Sequence, residues 1–221
     1  LLDNSEFNLY SLQNKLEKLN IINKKQIIPI LGSILDKNRL KKIFKKYVPT
    51  IVFHSAAYKH VPIVEQNIVE GIENNIFGTL NLVEISQSQR VKKFILISTD
   101  KAVRPTNIMG ASKRVSEIIL QAYNHKFKKT IFSMVRFGNV LGSSGSVVPL
   151  FWNQIESGGP VTITHPSISR FFMTDKEAAR LVIQSSALSK GGDVFVLDMG
   201  ELVKIKDLAI KMIILSGKTI K

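Results

Sequence analysis

Short β-rich apolar runs alternate along this chain with longer helical patterns, and that alternation restricts it to folds built from βαβ units around a parallel sheet. The runs are Ile27 to Leu31, Ile51 to Ala57, Phe94 to Ser98, Ile131 to Phe137 and Val194 to Leu197. Helical periodicity falls between them, near Leu9 to Asn20, Asn38 to Tyr47, Glu70 to Ser88, Gly110 to Phe127 and Lys176 to Leu188. Thr174-Asp175-Lys176-Glu177, ahead of the last helix, is a capping box in which Thr174 and Glu177 satisfy each other's free backbone donors. From Ser143 onward the alternation loosens into Gly-, Ser- and Pro-rich loops, as expected of a small lobe on the carboxyl edge of the sheet. The expected architecture is α/β, a doubly wound parallel sheet, with 1–142 as the sheet domain and 143–221 as a substrate-binding region partly interleaved with it.

The 221 residues, 44% of them hydrophobic, supply one substantial core. No apolar run reaches the length of a bilayer crossing, and the opening Leu1-Leu2-Asp3-Asn4-Ser5-Glu6 has neither part of a signal peptide. The expected location is cytoplasmic, without a membrane span in this chain. The absence of cysteine excludes disulfides and thiolate catalysis, and the four histidines lack ligand spacing, so no metal is expected. A formal charge of +14 admits nucleic acid, an anionic membrane surface or an anionic substrate. The lysines between Lys15 and Lys25 and between Lys37 and Lys46 are mixed with Asn, Ile and Leu rather than with aromatics, and no nucleic-acid-binding signature is present. Solvated basic faces and an anionic nucleotide substrate account for the excess, with no nucleic-acid partner.

Chemistry concentrates in Ser98-Thr99-Asp100-Lys101, followed by Met109-Gly110-Ala111-Ser112-Lys113. The first stretch ends an apolar strand, and open α/β sheets hold ligands at that edge. Met109 and Lys113 are four apart at the start of a helix and so share one face. Thr99, Asp100, Lys101 and Lys113 then stand at one bench; the plainer alternative is a turn, a helix cap and a solvated lysine. No G-x-G-x-x-G follows a strand, and Gly138-Asn139-Val140-Leu141-Gly142-Ser143-Ser144-Gly145 has the wrong spacing for one. The chain therefore reads as starting at the second strand of a dinucleotide-binding sheet.

Four motifs occur in a definite order: Val52-Phe53-His54-Ser55-Ala56-Ala57-Tyr58-Lys59-His60-Val61-Pro62, Asn74-Asn75-Ile76-Phe77-Gly78-Thr79, Ser98 to Pro105, and Arg136-Phe137-Gly138-Asn139-Val140-Leu141-Gly142. Together they resemble the extended short-chain dehydrogenase/reductases, and within them the polysaccharide-biosynthesis UDP-N-acetylglucosamine 4,6-dehydratases. The resemblance covers nearly the whole chain. It implies a Rossmann-like sheet lacking its first βα unit, and hence a fragment of a longer, homo-oligomeric enzyme that is membrane-associated in its full form. It also implies NAD as a returned cofactor and a UDP-sugar as substrate: hydride leaves C4, water is lost across C5 and C6, and hydride returns to C6. A related 4-epimerase or reductase, and an inactive remnant, are the alternatives. The isolated chain is expected to fold marginally, to bind NAD poorly and to be silent.

The superfamily carries a tyrosine four residues before the helix lysine, where this chain has Met109. A thioether transfers no proton. Among the dehydratases, methionine here resembles the larger, membrane-associated subgroup that retains configuration at C5. The resemblance makes Thr99, Asp100, Lys101, Met109 and Lys113 the catalytic set. Lys101 is the candidate base for C5 and Asp100 the candidate acid for the C6 hydroxyl, with no unique route assigned. The implied cofactor contacts are Asp3, Asp36, Ala56, Ala57, Lys59, Asn75 and Lys113. Asp3, expected to follow the second strand, reads equally well as a helix-capping or turn residue, and Asn75 better as a structural one. The implied contacts to the diphosphate-sugar are Asn139, the segment from Ser143 to Val147, and Arg170. Arg136, directly after an apolar strand, reads as readily as a buried structural cation paired with a carboxylate and is left out of the set, and the histidines read as ordinary core or surface residues.

Overall fold

Residues 1–19, 26–143 and 145–219 are described by the structure, a computed structural model. In chain order the first part comprises β1 (Leu2–Asp3), α1 (Glu6–Lys18), β2 (Ile30–Leu31), α2 (Lys37–Tyr47), β3 (Ile51–His54), α3 (Val61–Gln66) and α4 (Ile68–Ile72). A π-helical stretch (Glu73–Gly78) leads directly into α5 (Thr79–Ser88) and then β4 (Lys93–Ile97). A short 3-10 turn (Asp100–Ala102), α6 (Ile108–Lys126), β5 (Ile131–Arg136) and β6 (Asn139–Val140) follow. The remainder is α7 (Val147–Glu156), β7 (Ser169–Met173), α8 (Asp175–Leu188), β8 (Val194–Val196), β9 (Leu202–Lys204) and α9 (Ile205–Leu215).

The central sheet has the order β3-β4-β5-β8, with every neighbouring pair parallel. Its middle strands are apolar on both faces because helices cover both. Phe94, Leu96, Phe132 and Met134 face one way, into a cluster with Leu40, Phe44, Leu82, Val83 and Leu120. Ile95 and Val135 face the other, against Ala178 and Val182 of α8. This is the Rossmann-like α/β arrangement that the alternating pattern predicts. A third cluster, Phe151, Ile155, Ile205, Ala209 and Met212, joins α7 to α9 beyond the sheet.

Several boundaries differ from the sequence reading. The run from Ile27 to Leu31 contributes only Ile30 and Leu31 as strand, paired in parallel with Leu2 and Asp3. Asp3 thus lies in β1 rather than after a strand. The β1–β2 pair is not laddered to the central sheet, so the expected single sheet is divided in two. The periodicity from Glu70 to Ser88 is one helical rod whose middle is π-wound, and α3 precedes it. Beyond Ser143 the chain is more regular than its Gly, Ser and Pro content predicts: β7 and β9 pair with each other and, through β7, with the preceding β6 in a small mixed sheet, and β8 returns to pair with β5. The helix expected to end at Asn20 is described to Lys18, and Asn20 and Ser144 lie outside the described residues. The capping box at Thr174 forms in full.

Candidate active site

Strand β4 delivers Ser98, Thr99 and Asp100 to the carboxyl edge of the sheet, where the chain leaves the ladder. Ser98 N–H donates to the Val135 carbonyl at 2.7 Å and Asp100 N–H to the Phe137 carbonyl at 3.2 Å, so β5 and its following loop hold the turn. Thr99 caps the short 3-10 turn. Its hydroxyl donates to Asp100 Oδ1 at 2.9 Å, and Lys101 Nζ donates to the same oxygen at 3.0 Å. Two of the expected catalytic residues therefore converge on one carboxylate oxygen of a third. The Lys101–Asp100 pair is partly open to solvent, with side chains 33% and 45% exposed.

The first turn of α6 packs directly on this turn. Asn107 caps the helix by accepting from Gly110 N–H at 2.8 Å, and the Glu65 carboxylate accepts from Ile108 N–H at 2.6 Å. A β-carbon at Gly110 would lie 2.6 Å from the Lys101 carbonyl oxygen, so only glycine permits this approach. Met109 and Lys113, one helical turn apart, are both buried, at 4% and 5% exposure. Among the described residues Lys113 Nζ has no hydrogen bond or ion pair. Burial pushes its ammonium down to about 8, with the charge of Glu117 opposing that shift.

Four residues further on, Glu117 is fully buried and accepts from Ser98 Oγ at 2.6 Å, Arg136 Nε at 2.8 Å, Arg136 Nη2 at 2.5 Å and Arg114 Nη1 at 3.0 Å. Burial opposes ionisation of this carboxyl, but the bonds from Arg136, Ser98 and Arg114 prevail and hold it below the usual carboxylate range. The network ties β4, β5 and α6 together beside the 3-10 turn. Arg136 is the carboxylate-paired structural cation that its position after an apolar strand allows. Glu117 itself carries no sequence signal beyond a glutamate on the sheet-facing side of a helix.

The π-helical stretch sets the third wall. It carries Asn75, which accepts from Tyr58 N–H at 2.8 Å and donates to Tyr58 C=O at 3.0 Å and to Ser112 Oγ at 3.0 Å. This buried amide pins the loop after β3 to α6, a structural task. Thr79 Oγ1 donates to the Asn75 carbonyl at 2.6 Å and lies 2.8 Å from His54 Nε2. Since the single hydroxyl hydrogen is committed to the carbonyl, His54 must donate through Nε2–H. Burial, then the charge of Lys113, lower His54 to about 3 and keep it neutral. The sequence gives no hint of this beyond a histidine at a strand end.

Two clefts flank the bench. One, of about 790 Å³, lies between the facing edges of β1 and β3; Asp3, Ala56 and Ala57 line it together with Gly32 and His54. Asp3 Oδ1 already accepts from Ser5 N–H at 2.8 Å. Asp36 is not brought there: it caps α2 by accepting from Arg39 N–H at 2.9 Å. Lys59 is exposed and lines neither cleft. The other cleft, of about 750 Å³, gathers Asp100, Lys101, Asn107, Thr164, Ser169 and Arg170. Arg170, on β7, thereby lines the same cleft as the Asp100–Lys101 pair. Asn139 lies half-buried in β6 opposite Phe172. Ser143 accepts from Ser146 N–H through its carbonyl, and Val147 packs on the α7–α9 cluster.

In the cleft between β1 and β3, small Gly32, Ala56 and Ala57 allow close approach to backbone and the second carboxylate oxygen of Asp3 has no bond, while Leu2, Ile30, Ile43, Phe44, Val52 and Leu82 make much of its lining apolar. No lysine or arginine lines that cleft among the described residues.

Comparison with known proteins gives a consistent frame. The family described as "Polysaccharide biosynthesis protein" matches residues 1–221. The chain is 52% identical over 218 residues to the capsular polysaccharide biosynthesis protein CapD of Staphylococcus aureus, covering 99% of this chain and 36% of that protein. It is 38% identical over 182 residues to the inverting UDP-N-acetylglucosamine 4,6-dehydratase of Campylobacter jejuni, covering 81% of this chain and 54% of that one. It is also 38% identical over 198 residues to a UDP-glucose 4-epimerase of Rickettsia bellii, covering 88% and 58%. Among solved structures, Pen from Bacillus thuringiensis superposes with a TM-score of 0.88 at 36% identity, covering 100% of this chain and 68% of that one. The dTDP-glucose 4,6-dehydratase DesIV of Streptomyces venezuelae, solved with NAD and TYD bound, shares the fold at a TM-score of 0.84 and 19% identity, covering 94% and 68%. This chain spans about a third of the length of CapD.

Proposed function

The chain belongs to the polysaccharide biosynthesis protein family, and from that premise we propose that it carries the catalytic turn and sugar-facing wall of an NAD-dependent nucleotide-sugar 4,6-dehydratase acting on UDP-N-acetylglucosamine. The observation that carries this reading is the convergence of Thr99 and Lys101 on Asp100 Oδ1, in the cleft that also holds Arg170. Elimination needs both a base and an acid near the C5–C6 bond, and these two groups supply them. The named dehydratase among the relatives supports the same reading.

When bound, NAD would supply a hydride acceptor for C4 and a hydride donor for C6, so that the net reaction is loss of water; the C4 hydroxyl proton would leave through the Thr99–Asp100–Lys101 trio, which would return a proton to C5 after hydride reaches C6. Asp3, Ala56, Ala57 and Lys113 would hold it. The protein's own part turns on the Lys101–Asp100 hydrogen bond. In water the pair is ionic, Lys101 ammonium to Asp100 carboxylate. A sugar seated on the cleft removes that water, and burial disfavours the ion pair. Transfer of one proton along the 3.0 Å bond leaves a neutral amine and a carboxylic acid. The amine then takes the C5 proton, made acidic by the C4 ketone, and the acid protonates the departing C6 hydroxyl as water. Thr99 holds the carboxyl in place by donating to Oδ1. Met109 excludes water below the sugar and moves no proton. Arg170, with two parallel donors, suits the diphosphate.

A second reading is favoured by the epimerase relative: C4 oxidation followed by re-reduction from the other face, with the C6 hydroxyl kept. The deciding experiment incubates the longer protein containing this chain with UDP-N-acetylglucosamine and NAD. A 4-keto-6-deoxy product without net NADH is expected. A C4 epimer retaining oxygen at C6, or NADH accumulating in step with product, excludes the dehydratase.

A further inference from the structure

Among the described residues Glu117 is the one buried carboxylate, and the proposed chemistry does not use it. Each of its oxygens accepts two hydrogen bonds: Oε1 from Ser98 Oγ and Arg136 Nε, Oε2 from Arg136 Nη2 and Arg114 Nη1. All four partners are donors, so the set is satisfied only by the anion. The fork from Arg136 is complete without Ser98, and buried ion pairs are in general no better for stability than well-packed apolar side chains. The bond from Ser98 is the one that leads outward. That residue is held at both ends, by its N–H to the Val135 carbonyl at 2.7 Å and by its hydroxyl to Glu117 at 2.6 Å. It directly precedes Thr99 and Asp100, so its orientation sets the direction in which the 3-10 turn leaves β4.

Lys113 stands one helical turn before Glu117 on α6, at the spacing that makes side chains neighbours. With its four acceptor positions taken, the carboxylate acts on the buried ammonium through space and favours its charged form. The other charged groups on the elements packed against α6 are engaged or exposed. His54 of β3 is neutral, and Arg136 of β5 is spent on Glu117 itself. Asp100 and Lys101 of the 3-10 turn pair with each other, Glu65 of α3 accepts from Ile108 N–H, and Glu84 of α5 is taken up by Lys37 and Tyr123. Glu70 of α4 and Glu73 of the π-helical stretch are exposed. We propose that Glu117 is a positioning residue with two arms: through Ser98 it aims the turn that carries Thr99, Asp100 and Lys101, and through its charge it balances the ammonium of Lys113. The proposal rests on the reading of those four residues as catalytic.

The test uses the longer protein that contains this chain, labelled with carbon-13 in its lysines, with Lys113→Arg to assign the Lys113 resonance. Followed against pH, that resonance reports the titration of Lys113 without any reaction. Glu117→Gln should lower its midpoint from about 8 by about one pH unit or more, because a nearby opposite charge has been removed. Ser98→Ala should leave the midpoint in place and slow product formation by about tenfold to 100-fold, the effect of a misaimed turn. The double variant should be no slower than Glu117→Gln alone, because the two side chains act along one bond. Product is followed whichever sugar the parent forms, so a parent that proves to be an epimerase would sink the dehydration reading while the same comparisons still decide this proposal. An unmoved midpoint in a folded Glu117→Gln, or losses that multiply in the double variant, would overturn it. Should Glu117→Gln fail to fold, Ser98→Ala decides: product formation at the parent rate overturns the proposal, and slowed formation with circular dichroism retained upholds it.

Discussion

At the scale of single residues, the site is held by groups whose charge states oppose their surroundings. Lys101→Ala removes the only amine in contact with Asp100 among the described residues, so dehydration by the longer protein should fall by about 10²–10⁴-fold. C4 oxidation precedes deprotonation at C5 and should survive, leaving bound NADH visible by absorbance when substrate is added. Turnover within about tenfold of the parent would remove Lys101 from the mechanism. Protonation also reports on folding. His54 is neutral in the fold, at about 3 against 6.5 when free, so below pH 6.5 the unfolded chain binds a proton that the folded chain refuses. Stability therefore falls with acid between about pH 6.5 and 3, by up to about 1.4 kcal/mol per pH unit from this group alone. Glu117, held below the usual carboxylate range, adds loss of the same sign at the lower end of that window. Denaturant midpoints followed against pH, in the parent and in His54→Asn, would reveal the difference in slope above pH 4.5.

At the scale of elements, packing overrides propensity where α6 meets the catalytic turn. Gly110→Ala would strengthen an isolated helix by about 1 kcal/mol. Here the added β-carbon would meet the Lys101 carbonyl at 2.6 Å, a backbone atom that cannot swing away. Overpacking of this kind costs about 1–3 kcal/mol, so the variant should be less stable and should displace Lys101 from the sugar. A rise in melting temperature with unchanged turnover would contradict the geometry. The same junction separates what a sequence discloses from what it hides. Strands β4 and β5 are legible because burial on both faces leaves an unbroken apolar run, and α8 because its capping box is written in four consecutive residues. The π-winding at 73–78 is not legible, since apolar spacing alone does not distinguish a rod with one widened turn from a regular helix. Asn75 owes its reach to Tyr58 and Ser112 to that turn. Short strands such as β6, β7 and β9 are hidden for a different reason: they are set by partners far along the chain, such as Ser169 opposite Lys204, rather than by local preference.

At the scale of the whole molecule, apolar side chains left outside the core mark where more protein fits. On the outer side of the α4–π–α6 layer, Val69 and Phe77 are 64% and 53% exposed, and Val115 and Ile118 of α6 are 39% and 49% exposed. A helical layer with such side chains suits a self-complementary contact between two copies. The protein should therefore elute as a dimer in light-scattering chromatography, and Ile118→Glu with Phe77→Glu should shift it to monomer with its circular dichroism retained. A monomeric parent would rule this surface out. The turn at 99–101 and the lysine of α6 are legible as neighbours in the sequence because they follow one strand locally. The joining of Arg170 to Asp100 is not, because it depends on how β7 is placed across the sheet edge, about 70 residues downstream.

The separation of β1–β2 from the central sheet also has a consequence in time. Strands β4 and β5 are locked by ladders on both sides, whereas β1 and β2 share one short ladder and are tied to the rest through Leu2, Ile34, Leu40 and Phe44 on a single apolar face. Two-stranded pairs are marginal alone, and units with few ties open without the rest unfolding. In deuterated water the amides of Asp3, Ile30 and Gly32 should exchange through such partial openings, orders of magnitude sooner than those of Ile95, Leu96 and Met134, which wait for global unfolding. The wall of the cleft that would receive adenosine thus keeps its own clock. Ligand captured there would register first as slowed exchange in β1 and β2, well before any change in β4 and β5.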